Sequence, residues 1–178
     1  MEKLERLNFS GEGEISLSLE EFPNLKELKI EGDIIIKLDL PTLEVLECPY
    51  IERISDFGKM PNLKKLHITN TEKLSDILNN TPNLTHLQIE NLNQTSFKIL
   101  KSLKKLEFLN FSNEYLELGY IISDITDIKV LNCLPYLKEV NLFGFEKLEE
   151  QLNNPEVAVY YGMTQIHFHI YDEDDLWI

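Results

Sequence analysis

Four histidines, two cysteines and a run of four carboxylates are the residues of this 178-residue chain that could do chemistry. His67, His86, His167 and His169 could ligate a metal or titrate near neutral pH. His167 and His169 alternate with apolar residues, which places them on one face of a strand, roughly 6.7 Å apart at the rise of extended chain. A shared metal would need them closer, and a third ligand as well. The run Asp172-Glu173-Asp174-Asp175 lacks the glycine and the ligand spacing of a calcium loop. Cys48 and Cys133 lie among leucines and are expected to be small core residues. There is no glycine-rich phosphate loop, nucleophile elbow, His-Glu-x-x-His or Cys-x-x-Cys. The expectation is a protein that is not an enzyme and uses no cofactor and no metal.

Charge narrows the partner. The net charge is −14, with 31 acids against 17 bases. It is uneven: residues 1–60 carry 14 acids and 7 bases, residues 61–120 carry 6 and 7, and residues 121–178 carry 11 and 3. Such a balance disfavours nucleic acid and anionic membrane surfaces, both of which need a basic footprint, and points to a basic protein partner. The sequence contains no long charge-free apolar run, and its first ten residues, MEKLERLNFS, hold no apolar signal segment. With only two cysteines, these features read as a cytoplasmic protein, expected to be a monomer.

The elements that would position these residues follow from a repeated frame, apolar-x-x-apolar-x-apolar. It occurs at Leu4-Leu7-Phe9, Leu25-Leu28-Ile30, Leu43-Leu46-Cys48, Leu63-Leu66-Ile68, Leu84-Leu87-Ile89, Leu106-Leu109-Phe111 and Leu137-Val140-Leu142. Frame starts are separated by 21, 18, 20, 21, 22 and 31 residues. Pro23, Pro41, Pro61, Pro82 and Pro135 each stand two residues before a frame leucine. Gly11, Gly32, Asn70, Asn91, Asn113 and Gly144 stand two residues after the last apolar position, where a chain turning through positive φ wants them; Tyr50 breaks the series. The period of two inside each frame makes it a short strand with one apolar face. A unit of about 20 residues cannot bury that face alone, so neighbours must stack, with parallel strands ~4.8 Å apart.

The pattern resembles the leucine-rich repeat family over residues 4 to about 152. One departure is that the position where the family usually carries a ladder asparagine holds Glu12, Asp33, Ile51, Thr71, Leu92, Glu114 or Phe145, so the chain reads as an irregular, divergent member. The resemblance implies a single α/β domain over 1–178: a curved leucine-rich-repeat solenoid with parallel strands on the concave face. The return segments GEISLSLEEF and DIIIKLDL alternate like extended chain. Later returns, around Leu74-Ile77-Leu78, Phe97-Leu100-Leu103, Ile121-Ile125-Ile128 and Leu148-Leu152, have helical spacing, the longest predicted over about 121–132. Extended returns early and helical returns late would thus form the convex face. Residues from about 153 to 178 are expected to cap the end, with a closing strand through Ile166, Phe168 and Ile170 and with Trp177 and Ile178 folded back.

The family resemblance implies a protein-interaction scaffold that binds through the concave sheet. One form is an inhibitory or immunity protein that covers a basic cleft of its target; the alternative is a structural scaffold module of a larger assembly. The candidate contact residues are those alternating with the frame: Glu27, Lys29 and Glu31; Val45 and Glu47; Lys65 and His67; His86, Gln88 and Glu90; Phe108 and Asn110; and Glu139, Asn141 and Phe143. Phe108, Phe143 and Val45 are the apolar exceptions on a surface expected to be wet, and so candidate anchors. Glu27, Glu31 and Glu47 are expected to act as an acidic flank that speeds encounter. Lys98, Lys101, Lys104 and Lys105 share one face of the helical return that follows Phe97, on the outer side, and are expected to be solvated.

Overall fold

The computed structural model describes residues 3–18, 20–32, 34–49, 53–69, 72–90, 97–112, 128–142 and 154–160. All seven frames are strands: Arg6–Ser10 (β1), Glu27–Glu31 (β3), Val45–Cys48 (β5), Lys65–Thr69 (β7), His86–Glu90 (β8), Phe108–Ser112 (β9) and Glu139–Leu142 (β10). With Ala158–Tyr160 (β11) they form an eight-stranded sheet in the order β1-β3-β5-β7-β8-β9-β10-β11. Every pair is parallel and in the frame register: Leu7, Leu28, Leu46, Leu66, Leu87, Leu109, Val140 and Val159 stand in one row.

A recurring turn sets that register. The first frame leucine donates its N–H three residues back, as Leu43 does to Leu40 O at 3.0 Å and Leu106 to Leu103 O at 3.1 Å. The next two N–H groups then share one carbonyl of the preceding unit. Lys26 and Glu27 donate to Glu5 O, Glu44 and Val45 to Lys26 O, Lys64 and Lys65 to Glu44 O, and so on to Lys138 and Glu139 on Glu107 O. The middle residue of Pro-x-Leu adds a side-chain rung. Thr42 Oγ1 donates to Leu25 O, Asn62 Nδ2 to Pro41 O at 2.9 Å and Asn83 Nδ2 to Pro61 O at 2.7 Å. Among the described residues a side-chain ladder thus runs before the strands.

The returns follow the expected change of character, with differences in detail. Gly13–Ser18 (β2), Ile34–Asp39 (β4) and Arg53–Phe57 (β6) make a second parallel sheet in the order β2-β4-β6. The last of these escapes a search for alternation because the register jumps from Ile36↔Ile54 to Lys37↔Asp56, leaving one residue extra. Leu74–Asn80 (α1) is helical as predicted. It starts at Lys73 with no side-chain cap, and Thr81 Oγ1 closes its other end on Ile77 O at 3.0 Å. The returns at Phe97–Ser102 and Ile128–Cys133 are 3-10 turns, tighter than the predicted α-helices. Residues 121–127 and the helix predicted around Leu148-Leu152 lie outside the described residues, as do Ile166 to Ile170, His167, His169, the acidic run, Trp177 and Ile178.

Frame and return side chains merge into one buried cluster. The two end layers are the exceptions: Leu7 and Phe9 in the first and Val157 and Val159 in the last described layer are half-buried, whereas Leu28 and Ile30 are 1% exposed. Cys48 is buried as predicted, and burial, with the Glu47 charge beside it, drives its thiol pKa far up. Cys133 corrects the expectation: it ends its 3-10 turn exposed. Positive φ is found at Gly32 (108°) as predicted, but in the first unit it falls on Gly13 (109°) instead of Gly11.

Leu66→Ala and Leu87→Ala are each expected to lower unfolding free energy by ~2–5 kcal/mol in urea titrations, because no neighbour can collapse into the gap inside a stacked layer. Gly32→Ala would place a Cβ 2.1 Å from Gly11 O at a left-handed φ. It is expected to cost more than ~1 kcal/mol in the same assay.

Candidate functional site

The face of the eight-stranded sheet turned away from the core carries three cross-strand rows. The first row runs Arg6, Glu27, Val45, Lys65, His86, Phe108, Glu139, Ala158; the second runs Asn8, Lys29, Glu47, His67, Gln88, Asn110, Asn141, Tyr160. The third includes Ser10, Glu31, Thr69 and Glu90. Fourteen of the fifteen candidate contact residues therefore share one surface, and Phe143 lies outside the described residues. Two of the fourteen differ from expectation. Asn110 and Asn141 are 7% and 3% exposed, so they are interior amides on a face expected to be wet.

Register turns the charges of this face into pairs. Arg6 Nε lies 3.1 Å from Glu27 Oε2. Lys29 Nζ bridges Glu31 at 3.1 Å and Glu47 at 3.3 Å. Burial alone would push the Lys29 pKa down, but these two carboxylates outweigh it and hold it above its ordinary value. His67 lies between Glu90, 2.6 Å from Nε2, and Glu47, 4.0 Å from Nδ1. Gln88 Nε2 donates to the same Glu90 oxygen at 3.4 Å. Glu27, Glu31 and Glu47 are thus not a free acidic flank, because each has a cation bound to it. Such pairs contribute little to stability in solvent, but they remove net charge from the face. The sequence shows these residues singly; only the register reveals which strands bring them together.

The centre of the face is aromatic. His86 stacks on Phe108 with ring centroids 4.5 Å apart and planes at 24°. Thr85 Oγ1 donates to Lys64 O at 3.1 Å and lies 2.9 Å from His86 Nδ1. Burial first, and then the charge of Lys65, hold the His86 pKa below its ordinary value of 6.5. At the rim, Lys138 Nζ binds Glu107 at 2.5 Å and sits 5.9 Å from the Phe108 centroid. That hydrogen bond holds the Glu107 carboxyl below its usual range.

Among the described residues no group of three or more His, Cys, Asp or Glu could hold a metal ion, and no helix is long and apolar enough to cross a membrane. No family model and no curated protein matches the chain.

His86 generates a pH prediction. A histidine whose folded pKa is depressed binds its proton more readily when unfolded, so its contribution to stability is lost as pH falls through 6.5. His86 is therefore expected to titrate below 6.5 in a proton NMR pH series, and Lys65→Gln to raise its midpoint by removing the second cause. An unchanged midpoint in Lys65→Gln would mean that the lysine does not act on the ring.

Proposed function

We propose that the chain is a protein-interaction module of leucine-rich-repeat type, a curved solenoid that grips a protein partner with its eight-stranded sheet on the concave side. The observation that carries this is the half-buried His86–Phe108 stack at the centre of a face whose other charges are mostly paired off. An aromatic anchor within a polar, self-neutralised surround is how a binding surface combines slow dissociation with solubility. The net charge of −14 favours a basic partner through the long-range field of the molecule. An inhibitory protein acting in the cytoplasm, such as an immunity protein covering a basic cleft, is the form that fits these features best.

A second reading, a scaffold module of a larger assembly, is favoured by the first layer. Leu7, Phe9 and Ile15 are half-buried, while Leu28, Ile30 and Ile36, their register partners, are buried. Sedimentation that shows self-association, abolished by Leu7→Glu, would support the scaffold; a monomer at all concentrations would support the binder.

A photo-crosslinking residue placed at Gln88 is expected to capture a protein from native-cell extract, and excess unlabelled wild type is expected to abolish the capture. The same residue at Lys101, exposed on the 3-10 return, is expected to capture nothing that competes. Specific capture from Lys101 and none from Gln88 would place binding on the other side of the molecule.

A further inference from the structure

Lys65, His86, Phe108 and Glu139 stand side by side on four adjacent strands, β7 to β10. All four are half-buried and reachable from solvent. The two ends of this strip are charged, and among the described residues neither Lys65 nor Glu139 has an ion-pair partner. Every other lysine, arginine and glutamate of the described face lies against a charged partner or, for Glu90, against the His67 imidazole. The two middle positions form the aromatic stack. Burial first, and then Lys65, lower the pKa of its imidazole and so favour the uncharged ring. At the strip's edge Glu107 and Lys138 bind each other and add no net charge.

We propose that this strip docks an extended segment of the partner protein that carries an acidic, an apolar and a basic residue at alternate positions. The inference rests on the open face being the interaction surface and adds the chemistry of the segment it takes. The spacing argument is independent of the charges. Strands ~4.8 Å apart put Lys65 ~14 Å from Glu139, with the aromatic stack midway. In extended chain, residues i, i+2 and i+4 share a face and span ~13.5 Å, with the middle one halfway. An Asp or Glu at i meets Lys65, an apolar side chain at i+2 lies on His86 and Phe108, and an Arg or Lys at i+4 meets Glu139. Complementary charge at both ends fixes register and orientation, and the desolvated centre holds the segment.

The test is selection of displayed random heptapeptides on the immobilised full chain and on the double variant Lys65→Glu/Glu139→Lys. The double variant keeps the net charge and exchanges the ends. Wild type is expected to enrich acid-x-apolar-x-base, or its reverse if the segment runs the other way, at least tenfold over the starting library. The double variant is expected to enrich the opposite order. Phe108→Ala is expected to lower retention of the wild-type peptides at least tenfold, and Glu139→Gln alone to remove the preference for the basic residue. The same order on both proteins, a helical spacing, or no enrichment would overturn the proposal. Competable capture at Gln88 alongside any of those results would remove the strip and leave the interaction surface standing; loss of both would remove the surface as well.

Discussion

In this molecule the apolar strand faces and the return side chains share one buried cluster that is completed by stacking neighbouring units, so every other feature depends on the strands being in register. The two N–H groups that share one carbonyl of the previous unit, repeated from Glu5 to Glu107, hold that register at the start of each strand. A slip of one residue would turn Leu66 and Leu87 outward and His67 and Gln88 inward. The core and the candidate binding face are therefore two consequences of the same hydrogen bonds. The half-buried first layer shows the same constraint from the other side: among the described strands β1 has a neighbour on one side only, and Leu7 and Phe9 lack the cover that Leu28 and Ile30 have.

Register also decides what the charges do. An acidic composition suggests a negative surface that draws in a basic partner. On the described face, Glu27, Glu31, Glu47 and Glu90 each meet Arg6, Lys29 or His67. The described face remains acidic, with Glu27, Glu31, Glu47, Glu90 and Glu139 against Arg6, Lys29 and Lys65, but most of its carboxylates are already in contact with a cation or an imidazole. In the proposed reading, attraction at a distance and recognition at contact are separate: the field of the molecule acts over a Debye length of ~8 Å at physiological salt, and contact is assigned to the charged ends and aromatic middle of one row.

Much of this was legible in the residues. The seven frames became seven strands because a period of two, bounded by Pro-x-Leu and repeated about every 20 residues, has few other physical solutions. The eighth strand was not legible where it lies. Val157, after Pro155, takes the place of a frame leucine, with its N–H on Asn154 O, but Val159 follows two residues later instead of three. One missing residue hides the frame. The strand at Arg53–Phe57 was hidden by the opposite defect, one residue too many. The 3-10 returns share the apolar spacing of a short α-helix, so the periodicity alone does not separate the two. The candidate face residues were nameable from alternation, but the ion pair of Lys29 with Glu47, the contact of His67 with Glu90, and the burial of Asn110 and Asn141 depend on adjacent strands of the sheet that lie far apart in the chain.

The most direct measurement is the set of cross-strand nuclear Overhauser contacts in the labelled full chain. Backbone contacts pairing Leu46 with Leu66, Leu66 with Leu87, Leu87 with Leu109 and Leu109 with Val140 are the result expected from parallel, in-register stacking. Contacts displaced by one residue, such as Leu66 with Gln88, or an antiparallel pattern, would contradict the account, because the core, the charge pairs and the strip of Lys65, His86, Phe108 and Glu139 would all dissolve together.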